Sequence, residues 1–163
     1  MKSSHALYPG SFDVVTFGHL DVVRRAARVF DKVTVAVAEN PGKREPLFPV
    51  ARRVEMLQIS CREWDNIDVV SFPGLTVEFA GRIGAEVILR GLRAVSDFEF
   101  EFQMAMMNEN LAPSITTMFM APSPEYSFVS SSLIKEIARY SGDISHFVPG
   151  HVALAVKEAL APQ

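Results

Sequence analysis

Short apolar runs alternate along the chain with longer segments whose apolar residues recur every three or four positions, a pattern that predicts strands separated by helices. The runs Ala6 to Tyr8, Val33 to Ala38, Ile67 to Phe72, Glu86 to Leu89 and Thr116 to Met120 have strand length. Val33-Thr34-Val35-Ala36-Val37 is nearly continuous rather than alternating, as expected of a strand covered on both faces. Between the strands, Val23, Ala26, Ala27 and Phe30 make one stripe on a helix starting near His19, and Val50, Val54, Leu57 and Cys61 make another. Leu75, Phe79 and Ile83 mark a shorter helix. Two more, from about Ser131 to Tyr140 and from about Gly150 to Ala161, close the chain. Strands each followed by a helix predict an α/β fold: a five-stranded parallel sheet with helices on both faces and extra C-terminal helices. No linker, repeat or low-complexity tract divides the sequence, so residues 1–163 are expected to form one domain.

The segment from about Asp97 to Leu111 is a helix with two apolar stripes, Phe98, Phe102 and Ala105 on one, Phe100, Met104, Met107 and Leu111 on the other. One stripe is expected to face the sheet. The other then needs a partner, either within the domain or in a second copy of the chain.

Composition narrows the function. With 48% hydrophobic and 21% charged residues the chain is too apolar for disorder. A net charge of −3 argues against a broad basic face for nucleic acid or anionic membrane. The single Cys61 cannot pair internally, and the N-terminus has no signal-peptide core, so a cytoplasmic setting is expected. Cys61 sits on an apolar stripe and reads as core. His5, His146 and His151 have no metal-ligand spacing and read as structural or exposed.

In open parallel sheets, ligands bind beyond the carboxyl ends of the strands. After the first strand comes YPGSFDVVTFGHLD, in which Gly10 admits a close ligand, Ser11 offers a hydroxyl, and Thr16-x-Gly18-His19 enters a helix whose N-terminus suits phosphate. Neither a P-loop nor a dinucleotide fingerprint is present. The second strand is followed by a loop with Lys43 and Arg44, the fourth by Arg90-Gly91-Leu92-Arg93, the fifth by Pro122 to Ser132 with three serines opening a helix. Hydroxyls, an imidazole and cations without a nucleophile and base suit phosphoryl or nucleotidyl transfer.

These motifs, with RGLRAVSDFEFE, EYSFVSSSLIKEIA and GDISHFVPG, resemble the bacterial phosphopantetheine adenylyltransferases, a branch of the nucleotidyltransferases with the T/H-x-G-H signature. The resemblance implies a Rossmann-like subunit in a homohexamer that moves AMP from ATP to 4′-phosphopantetheine with Mg²⁺, giving dephospho-coenzyme A and pyrophosphate. It also implies coenzyme A as a possible feedback ligand. By position, Ser11, Phe12, His19, Gly91, Leu92, Arg93, Glu101 and the run Tyr126, Ser127, Phe128, Val129, Ser130, Ser131, Ser132 match ATP contacts. Ser11, Lys43, Thr76 and Arg90 match acceptor contacts, and His19, Lys43, Arg93 and Ser131 are the residues expected to stabilise the transferring phosphate. Val14 stands where the family commonly has Pro, and Phe100 where Tyr is common.

Overall fold

The computed structural model describes residues 4–39, 45–93 and 95–161, with backbone alone at 95 and 96. Its elements alternate as the apolar pattern predicts: β1 (His5–Gly10), α1 (Phe17–Val29), β2 (Lys32–Ala38), α2 (Val50–Cys61), β3 (Ile67–Phe72), α3 (Thr76–Ile83), β4 (Val87–Gly91), α4 (Val95–Leu111), β5 (Thr116–Met120), α5 (Ser131–Arg139) and α6 (Gly150–Ala159). All strands run parallel in the order β3-β2-β1-β4-β5. Strand order therefore reverses between β1 and β4.

Successive strand residues bury against opposite layers, because side chains alternate across a pleated sheet. Ala6, Tyr8, Val33, Val35, Val37 and Leu89 join α1, α2, α5 and α6 in one core. Leu7, Ala36 and Ile88 join Val77 and Ala80 of α3 in the other. Cys61 is buried in the larger core, where burial pushes its thiol pKa up to about 12, so it serves as an inert apolar residue. His5 is buried with its Nε2 2.9 Å from the Thr34 hydroxyl, and His151 sits 3.1 Å from the Met56 carbonyl; both are structural.

β1 and β4 extend two residues beyond the apolar runs that predict them, because the run ends where the strands leave the core while backbone pairing continues. The continuation is one-sided. β1 stays paired with β2 to Gly10↔Val37, but its ladder with β4 contains only Ala6↔Val87 and Leu7↔Ile88. Pro9 explains the difference, since it has no N–H to donate and its carbonyl is taken by the Arg90 guanidinium at 2.9 Å. A crevice opens there.

α4 departs from expectation. Most of both apolar stripes stays at the surface: Phe98, Phe102, Phe100, Met104, Met107 and Leu111 are all exposed, Phe100 at 62% and Met107 at 58%. Ala105 alone of the stripe residues turns inward, and Phe100 and Met104 edge a hollow beneath the helix. The inward positions are Glu101, Ala105 and Asn108, one turn apart, followed by Ala112 at the helix end. Periodicity correctly marks both stripes as apolar but assumes that the sheet must take one of them; the surface beneath α4 is instead mixed, Pro9 and Ile88 lying beside Thr76, Arg90 and Thr117, and partly hollow.

Leu57→Ala, which empties a fully buried site under α2, is expected to lower unfolding stability by about 2–5 kcal/mol. The exposed Leu154→Ala should change it by less than about 0.5 kcal/mol. Urea midpoints at constant slope measure both.

Candidate active site

The residues after β1 fold back on themselves. A Cβ at Gly10 would lie 3.0 Å from the Phe12 ring, so glycine gives that ring room to turn inward without shifting, and Phe12 takes a positive φ of 48° to do so. The buried ring then packs edge-on against Tyr8 at 5.4 Å and His19 at 5.1 Å. Thr16 caps α1: its hydroxyl accepts the His19 N–H at 3.3 Å, and its own N–H donates to His19 Nδ1 at 3.1 Å. A ring nitrogen that accepts carries no proton, so the neutral imidazole must hold its proton on Nε2. Burial, assisted by the nearby Arg93 charge, lowers the His19 pKa to about 4. At neutral pH His19 is thus an uncharged N–H donor with a fixed tautomer.

The end of β4 supplies the opposite wall. Arg90 makes two short bonds to Glu101, Nε to Oε2 at 2.8 Å and Nη2 to Oε1 at 2.7 Å, besides the bond to Pro9. This fork clamps α4 to the strand ends. Leu92 N–H donates to the Met120 carbonyl at 3.0 Å, and Arg93 reaches the Val129 carbonyl at 2.8 Å and Asp97 at 3.3 Å. Gly91 lies beside the Tyr8 hydroxyl, 3.5 Å from where a Cβ would be. Burial pushes the Tyr8 pKa up to about 12, which keeps that phenol protonated.

The loop after β5 returns to α1. Asp21, buried in the first helix, accepts the Ser123 N–H at 2.8 Å, while Arg25 holds the Ser123 hydroxyl at 2.7 Å. Ser130 caps α5 by accepting the Leu133 N–H at 3.1 Å, and the Ser131 hydroxyl donates to the Val14 carbonyl at 2.7 Å. Asp13, also buried, accepts the N–H groups of Leu47 and Phe48 at 3.0 Å and the Lys135 ammonium at 2.7 Å. Arg53 joins the Phe48 and Ser11 carbonyls at 3.0 and 2.7 Å. These buried charges tie three strand-end loops into one frame, with the N-termini of α1 and α5 side by side.

A cavity of about 300 Å³ lies inside that frame. Of the residues singled out in the sequence, Ser11, Phe12, His19, Arg90, Gly91, Arg93, Glu101, Val129, Ser130, Ser131 and Ser132 line it. Thr76 lines a second cavity of about 90 Å³, between the β1 and β4 ends and α4, which shares Pro9, Arg90 and Glu101 with the first. Leu92, Tyr126, Ser127 and Phe128 stand behind the lining: Tyr126 packs on Phe17 at 6.1 Å, Ser127 closes its own turn onto the Pro124 carbonyl at 2.9 Å, and Phe128 meets Phe147. Lys43 falls outside the described residues. Thr16, singled out together with His19, also lines the main cavity, whereas sequence reasoning missed Tyr8, Asp97 and Asn108, all of which line one cavity or the other. Asn108 had no signal beyond its place on the α4 stripe with Glu101 and Ala105.

Two helix N-termini, a neutral imidazole donor and guanidinium groups around one crevice at the point where strand order reverses define a binder of phosphorylated, nucleotide-like ligands. Residues 7–137 match the family described as cytidylyltransferase-like, which places the chain in the nucleotidyltransferase class. Its fold agrees with that of a Vibrio parahaemolyticus protein provisionally described as a nicotinate-nucleotide adenylyltransferase, with a TM-score of 0.73 at 17% identity over 97% of this chain and 94% of that one. The chain is 54% identical to the phosphopantetheine adenylyltransferase of Opitutus terrae, over 94% of its own length and 95% of the relative's. It is also 54% identical to that of Gloeobacter violaceus and 53% to that of Methylococcus capsulatus, each over 96% of both chains. The chain belongs to the phosphopantetheine adenylyltransferase family.

The pKa of His19 lies below the ordinary 6.5, so folding favours its neutral form; that contribution is complete above pH 6.5 and is lost as pH falls toward 4. Imidazole ¹⁵N spectra of the ligand-free protein should therefore show His19 as the neutral Nε2–H tautomer from pH 8 down to about 5.5. A midpoint near 6.5 would contradict the assignment.

Proposed function

We propose that this chain transfers the adenylyl group of ATP to 4′-phosphopantetheine, giving dephospho-coenzyme A and pyrophosphate, in coenzyme A biosynthesis. The observation that carries the reading is the near full-length identity to phosphopantetheine adenylyltransferases, and the site geometry supports it. An oxygen of the acceptor phosphate attacks the α-phosphorus, and the bond from that phosphorus to the oxygen bridging toward the β-phosphorus breaks. The acceptor oxygen is already anionic at neutral pH, so no general base is needed, in keeping with a His19 ring whose free nitrogen carries a proton. Alignment and stabilisation of the developing charge remain as the protein's tasks.

In this proposal His19 Nε2–H donates to the α-phosphate, and Ser11 and Phe12 lie where nucleotide and acceptor meet. Arg93, Ser131 and the α5 N-terminus receive the leaving pyrophosphate. Gly91, Leu92, Glu101 and the Tyr126 to Ser132 loop surround the nucleotide. Lys43 neutralises the transferring group, and Arg90 with Thr76 flanks the acceptor, whose arm continues into the second cavity. Coenzyme A, which carries the same arm, would compete there. Among the described residues no group of three or more His, Cys, Asp or Glu side chains gathers to hold an ion. Asp97 and Glu101 in the main cavity are engaged by Arg93 and Arg90. Magnesium, which the family resemblance implies, would be carried on the ATP phosphates and would screen their charge.

The uncovered apolar face of α4 supports self-association, with Phe100, Met107 and Leu111 buried between copies, and the family resemblance implies a homohexamer. No described helix is long and apolar enough to cross a membrane, which fits an enzyme working in the cytoplasm.

Pyrophosphate release is expected when the protein is mixed with ATP, Mg²⁺ and 4′-phosphopantetheine; release only with nicotinamide mononucleotide or glycerol phosphate would reject this acceptor. His19→Ala should lower kcat about 10²- to 10³-fold with unchanged circular dichroism. Light scattering should give about six times the 18.0 kDa subunit mass, and a monomer would reject the assembly.

A further inference from the structure

Arg53 of α2 is only 5% exposed and stands behind the lining of the main cavity rather than in it. A buried guanidinium is costly to desolvate and is normally matched by a carboxylate. Its charge is drawn toward Asp13, yet among the described residues its hydrogen bonds go to two backbone carbonyls: Nε donates to Phe48 at 3.0 Å and Nη1 to Ser11 at 2.7 Å. The Ser11 carbonyl belongs to the peptide group that enters Phe12, the residue at φ 48°. That group is planar, so turning it changes ψ of Ser11 and φ of Phe12 together and moves little else. The direction of the Ser11 carbonyl and the positive φ of Phe12 are therefore a single degree of freedom. A residue with a side chain rarely holds that conformation unless its surroundings impose it. The buried Phe12 ring, edge-on to Tyr8 and His19, fixes where the side chain lies. A peptide can turn without moving the side chains on either side of it, so the ring alone leaves the carbonyl free, and the bond from Arg53 is what holds it.

We propose that Arg53 is a positioning residue for adenylyl transfer, whose guanidinium holds the Ser11–Phe12 peptide in the orientation that sets both residues along the wall of the main cavity. It touches no reacting atom and supplies alignment, for which a misplacement of about 1 Å can cost about 10²-fold in rate. The consequence for turnover rests on the reaction proposed above; the consequence for the conformation of Phe12 does not.

The two bonds of Arg53 can be tested apart. Glutamine carries its amide nitrogen where arginine has Nε, so Arg53→Gln keeps a donor for Phe48 and loses the reach to Ser11. Arg53→Lys carries its ammonium one atom further and can regain Ser11. Wild type and both variants are compared by crystallography of the ligand-free protein, by thermal unfolding, and by steady-state kinetics with ATP and 4′-phosphopantetheine varied separately. Arg53→Gln should show the Ser11–Phe12 peptide turned and Phe12 at negative φ, and should melt within a few degrees of wild type. Its kcat should fall about 10²-fold with both KM values within about threefold, the signature of lost alignment rather than lost binding. Arg53→Lys should keep the positive φ and recover kcat to within about tenfold of wild type. Phe12 still at positive φ in Arg53→Gln, a kcat there within about threefold of wild type, a kcat loss matched by a loss of folded protein, or an Arg53→Lys variant as slow as Arg53→Gln would each overturn the proposal. A wild type inactive on 4′-phosphopantetheine sinks the acceptor assignment instead. The Arg53→Gln crystal structure then decides for Arg53, an unchanged φ at Phe12 overturning its role and a turned peptide upholding it.

Discussion

The site depends on a strand pair that stops early. Parallel strands zip together for as long as each residue can both donate and accept, and Pro9 breaks that condition toward β4 while leaving the β2 side intact. Arg90 then fills the opening with a planar fork that takes the Pro9 carbonyl and both oxygens of Glu101. One missing N–H thus creates the crevice, and one guanidinium sets its width and fixes the helix that forms its far wall. Arg90 also borders both cavities, so the geometry of the two shares a single partition.

Around this opening, buried polar groups do work that a purely apolar core could not. Asp13, Asp21 and Arg53 each reach the backbone of a distant loop; Asp13 and Arg53 join the end of β1 to the segment around α2, Asp13 also takes Lys135 of α5, and Asp21 joins α1 to the turn after β5. Loops fixed in this way present rigid N–H groups to a ligand, which lowers the cost of organising the site when phosphate arrives. Apolar packing sets the layers; these directional bonds set where the strand-end donors point.

Much of this was legible in the sequence. The strand runs were continuous because both faces are covered, and the helix stripes were regular because each helix on the larger core buries one side. The gathering of Gly10, Thr16, His19 and the serines before α5 around one crevice followed from their places at the strand ends. The orientation of α4 was not legible, since periodicity shows which residues are apolar without showing what they meet. Here a hollow lined by Thr117 and Asn108 selects the polar stripe, and a cavity leaves no trace in hydrophobic spacing. The mutual engagement of Arg90 and Glu101 was hidden for a related reason: eleven residues apart, on different elements, they meet only because the strand ladder ends at Leu7 and Ile88.

The pairing of charges inside the main cavity bears on its response to salt. Arg90 is matched by Glu101, Arg93 by Asp97, and His19 is neutral, so the described lining carries almost no net charge. Attraction for a polyphosphate then comes from short, directed N–H contacts rather than from a long-range field. Mobile ions weaken fields acting beyond about 8–10 Å at physiological ionic strength far more than they weaken contacts of hydrogen-bond length. A pocket built this way gives up fast electrostatic capture of its ligands and gains an affinity that stays nearly level as the surrounding ionic strength changes.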